Sequence, residues 1–125
     1  MKKLLILLIL SFVNLSVSSD SNNEARNCKA TYYDTQNHKK VHRPYPTAAF
    51  NNYKRNTKLL VTNLKNNIVD TVVITDKHGM GSNHIDLSIM AFDRLTKLDT
   101  ISNIKKRESK RKSIGTLKVI VKLIK

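Results

Sequence analysis

The sequence predicts a mainly β fold, a small barrel carrying one short helix, and three observations predict it. Short runs rich in β-branched and aromatic residues recur at positions 29–33, 47–50, 58–63, 68–75 and 116–124. Polar stretches with Asn, Pro and Gly separate them, the composition of turns. Only residues 89–95 space their apolar side chains as a helix does, with Ile89, Phe92 and Leu95 on one face. At 125 residues, with no internal repeat, a single domain is expected.

The N-terminus has a different character. Lys2 and Lys3 precede an unbroken apolar run over residues 4–10, which extends weakly to Val17, and Val17 and Ser19 are small residues ahead of Asp20. This is the pattern of a secretory signal peptide over 1–19, shorter than a clear membrane span, with an uncleaved N-terminal anchor as the alternative. No cysteine sits directly after the apolar run, so a lipoprotein anchor is not expected. The expected product is secreted or extracellular, periplasmic if the source is bacterial, and a monomer without a stable membrane span. Residues 20–28 are mostly polar and aperiodic and read as a flexible N-terminal segment leading into a domain over 29–125.

Cys28 is the only cysteine, so no disulfide within the chain staples the domain. The barrel must hold by packing and strand pairing. The formal net charge is +14, which favours anionic partners such as acidic polysaccharide, teichoic acid or lipid headgroups. Secretion argues against nucleic acid.

The first strand, 29–33, alternates Ala30 and Tyr32 on one face with Thr31 and Tyr33 on the other. Residues 34–46 form a loop marked by Asn37, Pro44 and Pro46, carrying His38, Lys39, Lys40, His42 and Arg43. Residues 47–50 make a short strand. The runs 58–63 and 68–75 form a hairpin about residues 64–67, whose asparagines tolerate a left-handed backbone. The last strand opposes Leu117, Val119, Val121 and Leu123 to Lys118, Ile120, Lys122 and Ile124, and Gly115 opens it. Between helix and last strand lies a basic insertion at about 99–113. Lys105, Lys106, Arg107, Lys110, Arg111 and Lys112 stand there against one Glu108, the composition of a solvated loop able to dock on anionic polymer.

The chemistry gathers in residues 75–95, TDKHGMGSNHIDLSIMAFDRL. A β-branched strand ends at Thr75, Asp76 and His78 enter a loop with Gly79 and Gly81, and His84 and Asp86 follow. Ser88 stands at the N-cap of the helix. Two carboxylates and two imidazoles between a strand end and a helix start are a good address for a site. Asp76, desolvated at a strand end, suits a general acid, and Asp86 is the only plausible second carboxylate. The alternative is that both aspartates bind backbone amides and hold the loops. His78 and His84 are placed to orient Asp76 or a ligand hydroxyl, or are solvated. Tyr33, Tyr45 and Tyr53 suit a ligand-facing surface, whereas Tyr32, Phe50 and Phe92 suit the core. No metal site is expected, because His38 and His42 lie on a proline-bounded loop without ligand geometry. No cofactor is expected either, Gly79-Met80-Gly81 being too short for a phosphate loop.

These motifs, in this order, resemble a known family. Ala30-Thr31-Tyr32-Tyr33, Pro46-Thr47-Ala48-Ala49, Val61-Thr62-Asn63-Leu64, Thr75-Asp76 and His84-Ile85-Asp86-Leu87-Ser88 with Ala91-Phe92 are similar to segments of the expansin and rare lipoprotein A (RlpA-like) barrels. The resemblance implies a six-stranded double-psi β-barrel with one short helix after the Asp-Leu-Ser motif. It also implies a polysaccharide groove with Thr31, Asp76 and Asp86 as its polar residues and Tyr33 as a sugar-stacking aromatic. The implied function is binding or loosening of cell-wall polysaccharide (peptidoglycan, or a plant or fungal wall glycan) without net hydrolysis. The enzymatic alternative is a lytic transglycosylase acting through Asp76, and a third reading is a secreted cationic effector or antimicrobial. Two departures stand out: Phe50 occupies the position of a His in the bacterial enzymes, and Asp76-Lys77-His78-Gly79-Met80 replaces the usual Asp-Arg-Gly-Pro.

Overall fold

The computed structural model describes residues 25–33 and 43–124. The expected signal peptide, residues 20–24, and the stretch 34–42 with His38 and His42 lie outside the described residues.

Six strands close into a barrel: β1 (Arg26–Tyr33), β2 (Thr47–Ala49), β3 (Lys58–Asn63), β4 (Val69–Asp76), β5 (His84–Ser88) and β6 (Leu117–Leu123), in the order β1-β5-β2-β4-β3-β6. β1 runs parallel to β5 and β2 parallel to β4, while the other four neighbouring pairs are antiparallel. The order interleaves two connections. In that order β5 lies between β1 and β2, and β2 lies between β5 and β4.

Alternation decides what each strand buries. Ala30, Ala48, Leu59, Val61, Val72, Ile74, Ile85, Leu87, Val119 and Val121 point inward and form one cluster with Phe50 and Phe92. The expected split of β1 and of β6 into two faces is observed. The hairpin between β3 and β4 is also observed, with Asn67 at φ 60°, a conformation that asparagine accepts more readily than most residues.

Three expectations are corrected. β1 begins at Arg26, three residues before the first strand expected over 29–33. Asn27 and Cys28 pair with Ile120 and Val119, and Cys28, a small hydrophobe, is buried at 6% exposure. His84–Ser88, which the sequence places between a loop and the helix without assigning a strand, is a full strand. Finally, there are two helices among the described residues, not one.

The first, α1 (Ile89–Thr96), is the expected one. Ser88 Oγ caps it by accepting from Ala91 N–H at 3.3 Å, and Lys97 in the left-handed region ends it. Ala91, Phe92 and Leu95 turn into the core cluster, so α1 plugs one end of the barrel. Its last carbonyls would be orphaned there. The side-chain amides of Asn63 and Asn66 both donate to Leu95 C=O at 2.9 Å.

The second, α2 (Ile104–Ile114), occupies most of the basic insertion that composition reads as a solvated loop, after a 3-10 turn over Leu98–Thr100. Lysine, arginine and glutamate are good helix formers. Asn103 Oδ1 accepts from Lys106 N–H at 3.1 Å to start the helix, and Gly115 at φ 68° stops it. No apolar stripe docks it, and Ile104 is 75% exposed. Arg107 and Arg111, one turn apart, anchor it instead. Arg107 Nε donates to Ile101 C=O at 2.9 Å. Arg111 forms a bidentate pair with Asp93 of α1, Nε to Oδ1 at 2.8 Å and Nη2 to Oδ2 at 2.6 Å, and lies 5.9 Å over the Tyr32 ring.

Candidate functional site

Residues facing out of β1, β5 and β2 form successive rungs on one face of the barrel. Register pairs Lys29 with His84, Thr31 with Asp86, and Tyr33 with Ser88, while Ala49 pairs with Asp86 on one side and Asp76 on the other. Directly paired residues project to the same face. Asp86 and Asp76 thus flank the methyl group of Ala49, two strand spacings apart, which is about 10 Å between Cα atoms. A register shift between Ala48 and Ala49 brings Asp76 into this row.

The middle rung is a hydrogen-bonded set. The Thr31 hydroxyl donates to Asp86 Oδ1 at 3.0 Å, and its oxygen stands 2.7 Å from His84 Nε2. With the hydroxyl hydrogen given to Asp86, Nε2 carries the proton and donates to Thr31, leaving Nδ1 as the acceptor of the neutral ring. Burial pushes the pKa of His84 below its usual value; nearby His78 and Lys29 also lower it, while Asp86 opposes them. The chain Nε2–H, Thr31 hydroxyl, Asp86 carboxylate therefore contains one neutral imidazole and one acceptor for a ligand hydroxyl.

His78 does a different job. Met80 N–H donates to its Nδ1 at 3.0 Å, so Nε2 carries the proton and donates to His84 C=O at 2.7 Å. Both ring nitrogens are used to close the loop over residues 78–84, and the two imidazoles meet edge to face at 5.3 Å. Asn51 clasps the same loop from β2's side, donating to His78 C=O at 2.7 Å and accepting from His78 N–H at 2.9 Å. Asn52 donates to Ser82 C=O at 3.1 Å.

Asp76 ends β4 with its carboxylate half exposed. Its Oδ1 accepts from Lys77 N–H at 2.8 Å and lies 3.7 Å from Arg55 Nη2. A backbone-binding role is thus visible for Asp76, whereas Asp86 binds a side-chain hydroxyl. Phe50 is fully buried, and its N–H donates to Asp76 C=O at 3.0 Å.

Tyr33 is placed otherwise than a stacking platform requires. It is 6% exposed, and its phenol is 2.6 Å from Thr47 Oγ1, while Thr47 N–H donates to Ser88 Oγ at 3.0 Å. This third rung is a wall rather than an open aromatic surface. Tyr53 is half-buried against Phe50, with ring centroids 6.1 Å apart, and Tyr45 is the exposed tyrosine at 40%.

The six basic residues of the insertion do not act as one set. Arg111 is buried and Arg107 half-buried, both bonded inward, while Lys105, Lys106, Lys110 and Lys112 face solvent. Burial raises the pKa of the Cys28 thiol, the opposite of an activated nucleophile, although Arg26 pulls the other way. Among the described residues no cluster of His, Cys, Asp or Glu is arranged to hold a metal ion, and no helix is long and apolar enough to cross a membrane.

Sequence reasoning named Thr31, His78, His84, Asp76 and Asp86, and the fold brings them to one face and its adjoining loop. It missed Asn51 and the Tyr33–Thr47–Ser88 rung. Asn51-Asn52 after a strand reads simply as a turn, and the clasp exists only across 27 residues of sequence. No protein-family model matches the chain, and no curated protein matches it at a significant level.

Proposed function

We propose that this is a secreted barrel that binds cell-wall polysaccharide and loosens it without net hydrolysis, in the manner of the expansin and RlpA-like proteins. The double-psi form of the barrel is part of the same reading. It is supported by the two parallel pairs, β1/β5 and β2/β4, which stand side by side in the closed order with β5 next to β2.

The observation that carries the reading is the row Thr31–Asp86–Ala49–Asp76. Two carboxylates separated by a methyl group, with a threonine hydroxyl and a neutral imidazole beside them, suit a polyhydroxylated chain lying across the face. Carboxylates accept from sugar hydroxyls, and Asp86 and Asp76 are the part-exposed members of the row, Ala49 between them being fully buried. The outward lysines of α2, Lys105, Lys106, Lys110 and Lys112, add attraction to acidic polymer, screened by salt.

The test is a pull-down of the chain from residue 20 onward on insoluble peptidoglycan, cellulose, chitin and pectin at low and high salt. Wild type and Asp76→Asn are compared, with soluble fragments analysed by mass spectrometry. Selective binding that survives salt, yields no fragments and is lost in Asp76→Asn is expected. Anhydro-sugar products would make the protein a lytic transglycosylase, and unchanged activity in Asp76→Asn would sink the role given to that residue. Binding to every acidic wall, abolished by salt, would leave only a cationic binder.

A further inference from the structure

The third rung does not end the outward face. Beyond Tyr33, Thr47 and Ser88 opens a cavity of about 320 Å³, between the first turns of α1 and the segment before β2. Its apolar walls are Tyr33, Tyr45, Ile89 and Met90, and its cations are Arg43, Arg94 and Arg107. Asp93 and Asp99 also line it, but Asp93 is neutralised from behind by Arg111, so positive charge is in excess. Arg107 gives hydrogen bonds to carbonyl groups, which leave its charge uncancelled. Arg94 faces Asp70 at 3.7 Å, and Asp70 Oδ2 is buried without a hydrogen-bond partner.

Position gives the cavity its meaning. Tyr33, Ser88 and Thr47 are each two residues along their strands from Thr31, Asp86 and Ala49 and share their face. The cavity wall is therefore about 7 Å from the carboxylate row, a distance comparable with one sugar unit. A glycan that meets Asp86 and runs along β1 and β5 delivers its next residue here. The carboxylate row disfavours a negative group on the sugar above it, whereas the cavity favours one.

We infer that this cavity is a subsite that reads a carboxylate-bearing sugar, making an acidic polysaccharide the preferred substrate class. Arg43 and Arg94 bind the carboxylate, and Tyr45 provides the apolar ring on which the sugar lies. The inference rests on the glycan reading of the barrel face. It goes beyond that reading by separating the charge-sensing site from the lysines of α2, which attract any polyanion.

Calorimetric titration with tetragalacturonate and with its fully methyl-esterified form, the same backbone without charge, tests it. Wild type is expected to bind the acid at least tenfold more tightly than the ester. The Arg43→Gln/Arg94→Gln double variant should lose that preference while keeping its affinity for the ester. Tyr45→Ser should weaken both forms together and leaves the barrel untouched. Lys118→Gln/Lys122→Gln, which removes equal charge from exposed positions on β6, should change the preference less than threefold.

A preference that survives Arg43→Gln/Arg94→Gln overturns the inference, as does one lost equally in the β6 variant, where net charge alone would be responsible. Equal binding of acid and ester also overturns it and leaves the glycan face standing. If neither binds, the inference fails, and wall binding in the pull-down decides the glycan reading separately.

Discussion

Asp86 and Asp93 lie seven residues apart, on β5 and on the helix that follows, and the protein treats them in opposite ways. Asp93 is 3% exposed and holds a bidentate guanidinium. Asp86 is half-buried, faces a neutral hydroxyl and a neutral imidazole, and among the described residues has no ion-pair partner. The first arrangement cancels a charge in order to dock α2 onto α1. The second keeps a charge at the surface, partly desolvated, with acceptor capacity to spare. The contrast separates carboxylates that hold the structure from those open to a ligand.

Arg111→Met should break the contrast most severely. Removing one partner leaves a buried carboxylate uncompensated, at a cost of about 3–5 kcal/mol. Denaturant titration should show it, with α2 exchanging its amides early. The Arg111→Met/Asp93→Leu double variant should recover most of that loss, because replacing a buried pair by apolar groups is often neutral or better.

Thr31→Val comes next. It deletes the hydroxyl linking His84 to Asp86, and water can replace it at this half-buried position, so roughly 1 kcal/mol of stability should be lost. Wall binding should suffer far more than stability, which separates the Asp86 environment from that of Asp93.

The pH response of His84 sharpens the comparison further. Its folded pKa is depressed, so this group's contribution is fully present above about pH 6.5, where the unfolded histidine is also neutral. As pH falls below that value the unfolded chain takes up the proton first, and stability declines until the folded pKa is reached. Thermal unfolding between pH 7 and 4 should show a slope that His84→Gln reduces. A slope unchanged in that variant would remove His84 from the account.

The smallest effect belongs to the surface. Lys112→Gln breaks an exposed pair with Glu108, 3.1 Å apart and one helical turn away, and should change stability by under about 0.5 kcal/mol. The same variant should still weaken polyanion binding at low salt.

Much of the barrel could be read from residue order alone. The alternation in β1 and β6, the β-branched run of β4 and the asparagine hairpin each state their own structure. β5 was also written in the chain: His84-Ile85-Asp86-Leu87-Ser88 alternates polar and apolar at every position. It passed as loop because it is short and follows Gly79 and Gly81. The helix α2 was hidden for a different reason. Its anchors are arginines, and periodic reading looks for apolar faces. Site residues on adjacent strands were legible as a cluster, whereas Asn51's clasp and the burial of Tyr33 depend on strand pairing that no local pattern encodes.

The placement of β1 has a kinetic consequence. Both of its neighbours, β5 and β6, come from the second half of the chain, and β3 also needs β6 for its outer side. No sub-barrel can therefore form and close as the chain is synthesised. Residues 25–33 can pair on one side with His84–Ser88 but complete their pairing only when Leu117–Leu123 is available, an arrangement of distant pairings that folds slowly. A chain cut after residue 114 would leave β1 and β3 with bare edges, open to pairing with other molecules. For this protein, the last strand decides whether the rest is soluble.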